Sequence, residues 1–185
     1  MQNRSGKTKR DRKAEKKFEK YYFEYRERIY WYIRKRLNSD AQAEDMTSEV
    51  FMKLLEHPDI MKKRDSGGVR AWLYTVARNS LIDSYRKKTN NVTKIRPDPE
   101  NNIFEIITAQ KDTNLRDAIH DERYQLVLAA LESCSDEEKE IITLRFQEDM
   151  KYKEIGDIVG KEEGAVKMQL YRAIDKIKEM VKAQG

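Results

Sequence analysis

The sequence predicts an all-α protein of two small helical domains joined by a flexible linker, the second containing a helix-turn-helix. Three observations predict it. Apolar residues recur at steps of three and four along most of the chain, the period of a helix with one buried face. The 185 residues include only seven Gly and three Pro, too few for the many tight turns of an all-β fold. A breaker-rich stretch with Asn90, Asn91, Pro97, Pro99, Asn101 and Asn102 separates two patterned blocks.

The elements follow in order. Residues 1–17 hold eight basic and two acidic residues and no large apolar residue beyond Met1. They read as a disordered basic arm, either a source of phosphate attraction or a solvated tail. A domain over residues 18–91 comes next. Phe18, Tyr21, Tyr22, Tyr25, Ile29, Tyr32, Ile33 and Leu37 form one stripe on its first helix. Asn38-Ser39-Asp40 breaks the pattern and can cap a second helix, which carries Ala43, Met46, Val50, Phe51, Leu54 and Leu55 and stops near His57-Pro58. Residues 59–68 read as a polar, basic loop. A third helix over about 69–88 puts Val69, Trp72, Leu73, Val76, Ala77 and Leu81 on its core side. Trp72 is in phase with those residues and is assigned to the core; Tyr74 is the better candidate for stacking on a base.

Residues 92–121 read as a linker. Its apolar island, Ile103, Phe104, Ile106 and Ile107, either docks on a partner or covers a flanking domain. The last domain spans 122–185. Tyr124, Val127, Leu128 and Leu131 begin it, and Ser135-Asp136-Glu137-Glu138 has the form of a capping box before an apolar run. A short helix from Tyr152 to Val159, a turn at Gly160 and a longer helix to about Val181 complete a helix-turn-helix.

Charge is unevenly spread. The net +5 divides into +10 over residues 1–91, −2 over 92–121 and −3 over 122–185. A strongly basic front half points to a polyanion such as nucleic acid. The back domain, acidic overall, has only local cations to offer: Lys161, Lys167, Arg172 and Lys176, with Gln169 among them. Lys and Arg neutralise phosphates, and Gln can pair bidentately with adenine in the major groove. On the third helix Arg70, Tyr74, Arg78, Asn79, Asp83, Arg86, Lys87 and Lys88 combine cations with an aromatic and an amide, the means by which single strands are held.

Enzymatic readings find no support. His57 and His120 stand in unrelated contexts with no third ligand at metal spacing. No nucleophile elbow or Gly-rich phosphate loop occurs. Cys134, just before a helix cap, reads as a small, partly buried residue rather than an activated thiol. No cofactor is implied. No apolar run of membrane length and no secretory signal is present, and a single cysteine suits a reducing, cytoplasmic setting.

Three blocks carry a family resemblance. Residues 43–51, Ala-Glu-Asp-Met-Thr-Ser-Glu-Val-Phe, are similar to the core-polymerase-binding helix of bacterial sigma factors. Residues 71–86 resemble their promoter-melting helix, and residues 152–173 their upstream-element helix-turn-helix. The order and the linker resemble the small sigma factors of the extracytoplasmic-function (ECF) type, with 18–91 as region 2 and 122–185 as region 4. The resemblance implies that Asp45, Ser48 and Glu49 bind the β′ clamp of core RNA polymerase, with the β flap as a second contact. It implies that Arg70, Tyr74, Arg78, Asn79, Arg86 and Lys87 hold the melted minus-ten element. Capture of a flipped base would offset part of the unpairing cost. Lys161, Lys167, Gln169 and Arg172 would contact the minus-thirty-five element, and the linker would thread toward the RNA exit path. With no added sensor domain expected after Val181, control by a separate anti-sigma factor is the family's expectation. The competing reading is a stand-alone helix-turn-helix regulator, against which the acidic back domain argues.

The sequence departs from the family's pattern in places. Lys151 stands where Ser often opens the helix, and Gly160-Lys161-Glu162 replaces Gly-Ile-Ser. Ala165 and Gln169 replace frequent Thr and Arg, and Ser48 a usual Gln.

Overall fold

A computed structural model of the chain describes residues 9–89 and 122–184. The linker and its Ile103 island lie outside the described residues, as do residues 1–8. All regular elements among the described residues are helices. The chain divides at Ser84–Tyr85 into two compact units. No helix among the described residues is long and apolar enough to cross a membrane.

The front unit begins with α1 (Lys9–Arg34). The helix starts well before Phe18, which corrects the reading of residues 9–17 as part of a disordered arm. Lys, Arg, Ala and Glu in that stretch are strong helix formers. The extension is also tied down, since Lys17 Nζ donates to the Met61 carbonyl at 2.9 Å. The buried face of α1 is Tyr21, Tyr25, Ile29, Tyr32 and Ile33, continued by Leu37, in the expected register. Ser39 caps α2 (Asp40–Glu56) by accepting from Gln42 N–H at 3.3 Å. Arg34 pairs with Asp40 across this turn and holds that carboxyl below its usual range. Ala43, Thr47, Val50, Phe51 and Leu54 of α2 are buried, and the Phe51 ring meets Tyr22 edge-on at 5.1 Å. Leu55, the last residue of the apolar pattern on this helix, is 52% exposed.

The expected loop after His57 is instead mostly α3 (Pro58–Lys63), with Pro58 in the first turn, where its missing N–H costs nothing. Helix α4 (Ser66–Thr89) starts ahead of Val69, because Asp65 caps it: its Oδ1 accepts from Gly68 N–H at 2.8 Å. Val69, Ala71, Leu73, Tyr74, Ala77 and Leu81 are its buried residues.

The back unit comprises α5 (Glu122–Glu132), α6 (Asp136–Phe146), α7 (Tyr152–Val159) and α8 (Glu163–Gln184). The expected capping box is present on α6. Ser135 Oγ accepts from Glu138 N–H at 3.3 Å, and Glu138 Oε2 from Ser135 N–H at 2.7 Å. Ile141, Leu144, Met150, Ile155, Ile158, Val166, Leu170 and Ala173 make the core.

The turn between α7 and α8 depends on two glycines. Gly160 has φ +74°, the left-handed region, where a Cβ is strained. Gly156 is the more demanding. Its carbonyl accepts from the N–H of both Gly160 and Lys161 (2.8 and 3.0 Å), and a Cβ on it would lie 2.4 Å from the Lys161 carbonyl oxygen. Gly156→Ala is therefore expected to destabilise the back unit by about 1–3 kcal/mol despite the gain in helix propensity. Faster hydrogen exchange across α6 to α8 would show it, and unchanged exchange would refute it.

At Lys151 the opening of α7 is half capped. The Glu154 carboxylate accepts from Lys151 N–H at 2.8 Å, but an ammonium has no lone pair to return the bond. Lys151→Ser supplies one and is expected to add about 1 kcal/mol. Slower exchange of the α7 amides is the corresponding readout.

Candidate nucleic-acid and protein interface

Helix α4 rises about 1.5 Å per residue and turns about 100°, so side chains seven apart share a face. Trp72, Asn79 and Arg86 stand at that spacing. Asn79, Arg86 and Lys87 are exposed, and Trp72 is half-buried, with its ring edge-on to exposed His57 at 6.1 Å. Arg78 is half-buried on the flank, but Arg70 lies about 180° around the helix from Asn79, on the side of buried Tyr74 and near Tyr25, which corrects its placement on this face; the Nε atoms of both arginines are enclosed.

Tyr74 faces the other way. It is 0% exposed and packs edge-on against Tyr32 at 4.9 Å. This corrects its assignment as a base-stacking residue: buried in the helix core, it has no face for a base. Of the α4 aromatics Trp72 and Tyr74, Tyr74 is the one fully in the core, and Trp72 is the partly exposed ring on the side of Asn79. The signal for this was its seven-residue register with Asn79 and Arg86.

On α2, Asp45, Ser48 and Glu49 are all exposed. The same face continues into Met52 and Leu55, which are 59% and 52% exposed. Carboxylates running into an apolar patch suit a protein partner better than a polyanion. Sequence reasoning missed the apolar half because Leu55 adjoins core Leu54.

In the back unit Lys167 and Arg172 are exposed on α8. Ala165, Met168 and Arg172 line one exposed strip, with Tyr171 beside it. Met168, which sequence reasoning did not single out, gives that strip an apolar side chain of the kind that contacts thymine methyls. Lys167 Nζ sits 5.9 Å from the Tyr171 ring centre.

Lys161 and Gln169 are already engaged. Lys161 Nζ lies 2.8 Å from Glu137 Oε1 and donates to Gln169 Oε1 at 2.8 Å. Gln169 Nε2 donates to Glu137 Oε2 at 3.2 Å. Lys176, the remaining cation of the sequence pattern, donates to the Ser133 carbonyl at 2.7 Å. Cys134 is buried, and burial pushes its thiol above the ordinary range, so it is not an activated nucleophile.

Comparison with known proteins follows the same division. Residues 22–91 match the family model described as Sigma-70 region 2, and residues 124–177 that of Sigma-70, region 4. The ECF RNA polymerase sigma factor SigL of Mycobacterium tuberculosis is 30% identical over 151 residues, covering 79% of this chain and 78% of that protein. The ECF RNA polymerase sigma factor BldN of Streptomyces coelicolor is 28% identical over 169 residues; the match covers 85% of this chain but 57% of BldN's length. Among solved structures, the sigma factor RpoE of Bartonella quintana, in complex with the anti-sigma factor NepR, has a TM-score of 0.57 at 21% identity. That match covers 89% of this chain and 96% of RpoE and speaks to the fold alone.

Proposed function

Because this chain belongs to the sigma-70 family of RNA polymerase sigma factors, in its ECF group, we propose that it directs core RNA polymerase to promoters, melts the DNA there and initiates transcription. One observation carries the reading: regions 2 and 4 occur in one chain, in order, the first ending with helix α4 and the second confined to the later helices. A stand-alone helix-turn-helix regulator has no need of the front unit.

The division of labour follows from the exposed faces. The α2 face, Asp45, Ser48 and Glu49 with Met52 and Leu55, takes the β′ clamp. Its carboxylates meet a basic partner, and its apolar end is buried on binding. The back unit contacts the β flap. Trp72, Asn79, Arg86 and Lys87 of α4 hold the melted minus-ten strand, with Arg78 supporting from the flank. The α8 strip of Ala165, Met168 and Arg172 enters the major groove at the minus-thirty-five element, with Lys167 on the neighbouring face for a phosphate. Melting requires binding energy only, so the protein is a non-enzymatic initiation factor without a cofactor. It works in the cytoplasm on the polymerase, under the control of an anti-sigma factor such as the one RpoE binds.

Co-purification with core polymerase tests this directly. The unmodified chain is expected to form a stable complex, and Glu49→Lys with Leu55→Glu to weaken it by about tenfold or more. Both positions are exposed, so the fold survives the change. No complex with the unmodified chain, or no loss with the variant, contradicts the assignment.

A further inference from the structure

Two departures from the family's pattern meet in space. Lys161 replaces an apolar residue in the turn, and Gln169 replaces a frequent Arg on α8. Both reach Glu137 in the first turn of α6, and the three side chains close a ring at 2.8, 2.8 and 3.2 Å. The ring has chemical consequences. The ammonium of Lys161 is neutralised before any phosphate arrives. The Gln169 amide has its oxygen taken by a donor and its nitrogen by an acceptor, held side by side. Adenine's major-groove edge offers the same donor and acceptor pair. The ion pair thus occupies the groups through which Gln169 would read a base. Glu137 also remains partly exposed, its side chain at 39%, and carries a negative charge beside the proposed DNA face.

We propose that Glu137 is a built-in competitor for DNA at the upstream element. In the free protein it holds Lys161 and Gln169. Promoter binding exchanges it for a phosphate on Lys161 and a base edge on Gln169. The back unit, weakened in this way, engages DNA firmly only when the polymerase presents it. This rests on the reading of α8 as the DNA-facing helix.

The test uses the full chain and a random-sequence DNA duplex, with affinity followed by fluorescence anisotropy across a salt series. Glu137→Gln and Glu137→Ala are each expected to tighten binding about three- to tenfold, and to steepen the dependence of log K on log salt by about one unit as Lys161 becomes a phosphate contact. In a Lys161→Met background the steeper salt dependence should be absent, and the gain should shrink to what removing the carboxylate and releasing Gln169 supply. Thermal melting of each variant establishes that equal folded fractions are compared. Unchanged or weaker binding overturns the proposal and makes the ring a positioning device. A gain and a steepening that are undiminished without Lys161 also overturn it. Binding of the unmodified chain to core polymerase is measured separately. Its failure would remove the sigma-factor reading while leaving the Glu137 result to stand or fall on the duplex data.

Discussion

Replacing Arg86 and Lys87 together by Glu is expected to lower promoter-directed transcription on the order of 100-fold while leaving the complex with core polymerase intact. Both side chains are exposed near the end of α4 and contribute nothing to the core, so the fold tolerates the reversal. The front half owes its net +10 partly to such residues. Each change removes an attraction for phosphate and adds a repulsion where the melted strand is held. Binding to the clamp uses α2, so the two activities should separate. The measurement is run-off transcription from a promoter selected with the reconstituted polymerase, beside co-purification with core. Loss of both activities together would point to unfolding; loss of neither would remove α4 from the DNA interface. Arg78 is the less informative position, because its enclosed Nε mixes a folding effect into any reversal.

Tyr74→Ala is expected to have the largest effect on stability, about 3–5 kcal/mol. The ring is fully buried against Tyr32, so truncation leaves a cavity between α1 and α4. The only two tryptophans, Trp31 and Trp72, both lie in the front unit, so Trp fluorescence reports its unfolding alone. The midpoint should fall by more than about 10 °C, given about 4–8 °C per kcal/mol for a unit of this size. Trp72→Ala should lower the Trp31-reported midpoint by clearly less, because that ring is only partly enclosed, and should lower promoter opening. If the two substitutions exchanged effects, the orientation of α4 described above would be wrong.

Much of the architecture was legible in the sequence for a local reason. The α1 stripe from Tyr21 to Leu37, the Ser39 cap, the Ser135–Glu138 box and the Gly160 turn each rest on residues a few positions apart. The physics that sets them acts within one helix or one turn. Local signals also misled. Apart from Ile60 and Met61, residues 59–65 are all charged, too short an apolar signal to mark α3 before Met61 is seen in the core, and the basic stretch before Phe18 gave no apolar sign that it continues α1.

The sequence by itself determined the class of fold, two helical units with a helix-turn-helix in the second, the uneven charge and the family. Periodicity and short-range caps suffice for those. Tertiary structure decided which of Trp72 and Tyr74 is available to a base, whether Leu55 is core or surface, and which cations are already spent. The reason is geometric. Periodicity places residues relative to one another around a helix axis, but only the neighbouring helices decide which side is turned inward. Glu137 and Gln169 stand 32 positions apart in the chain, and nothing local to either foretells that packing α6 against α8 closes a ring through Lys161.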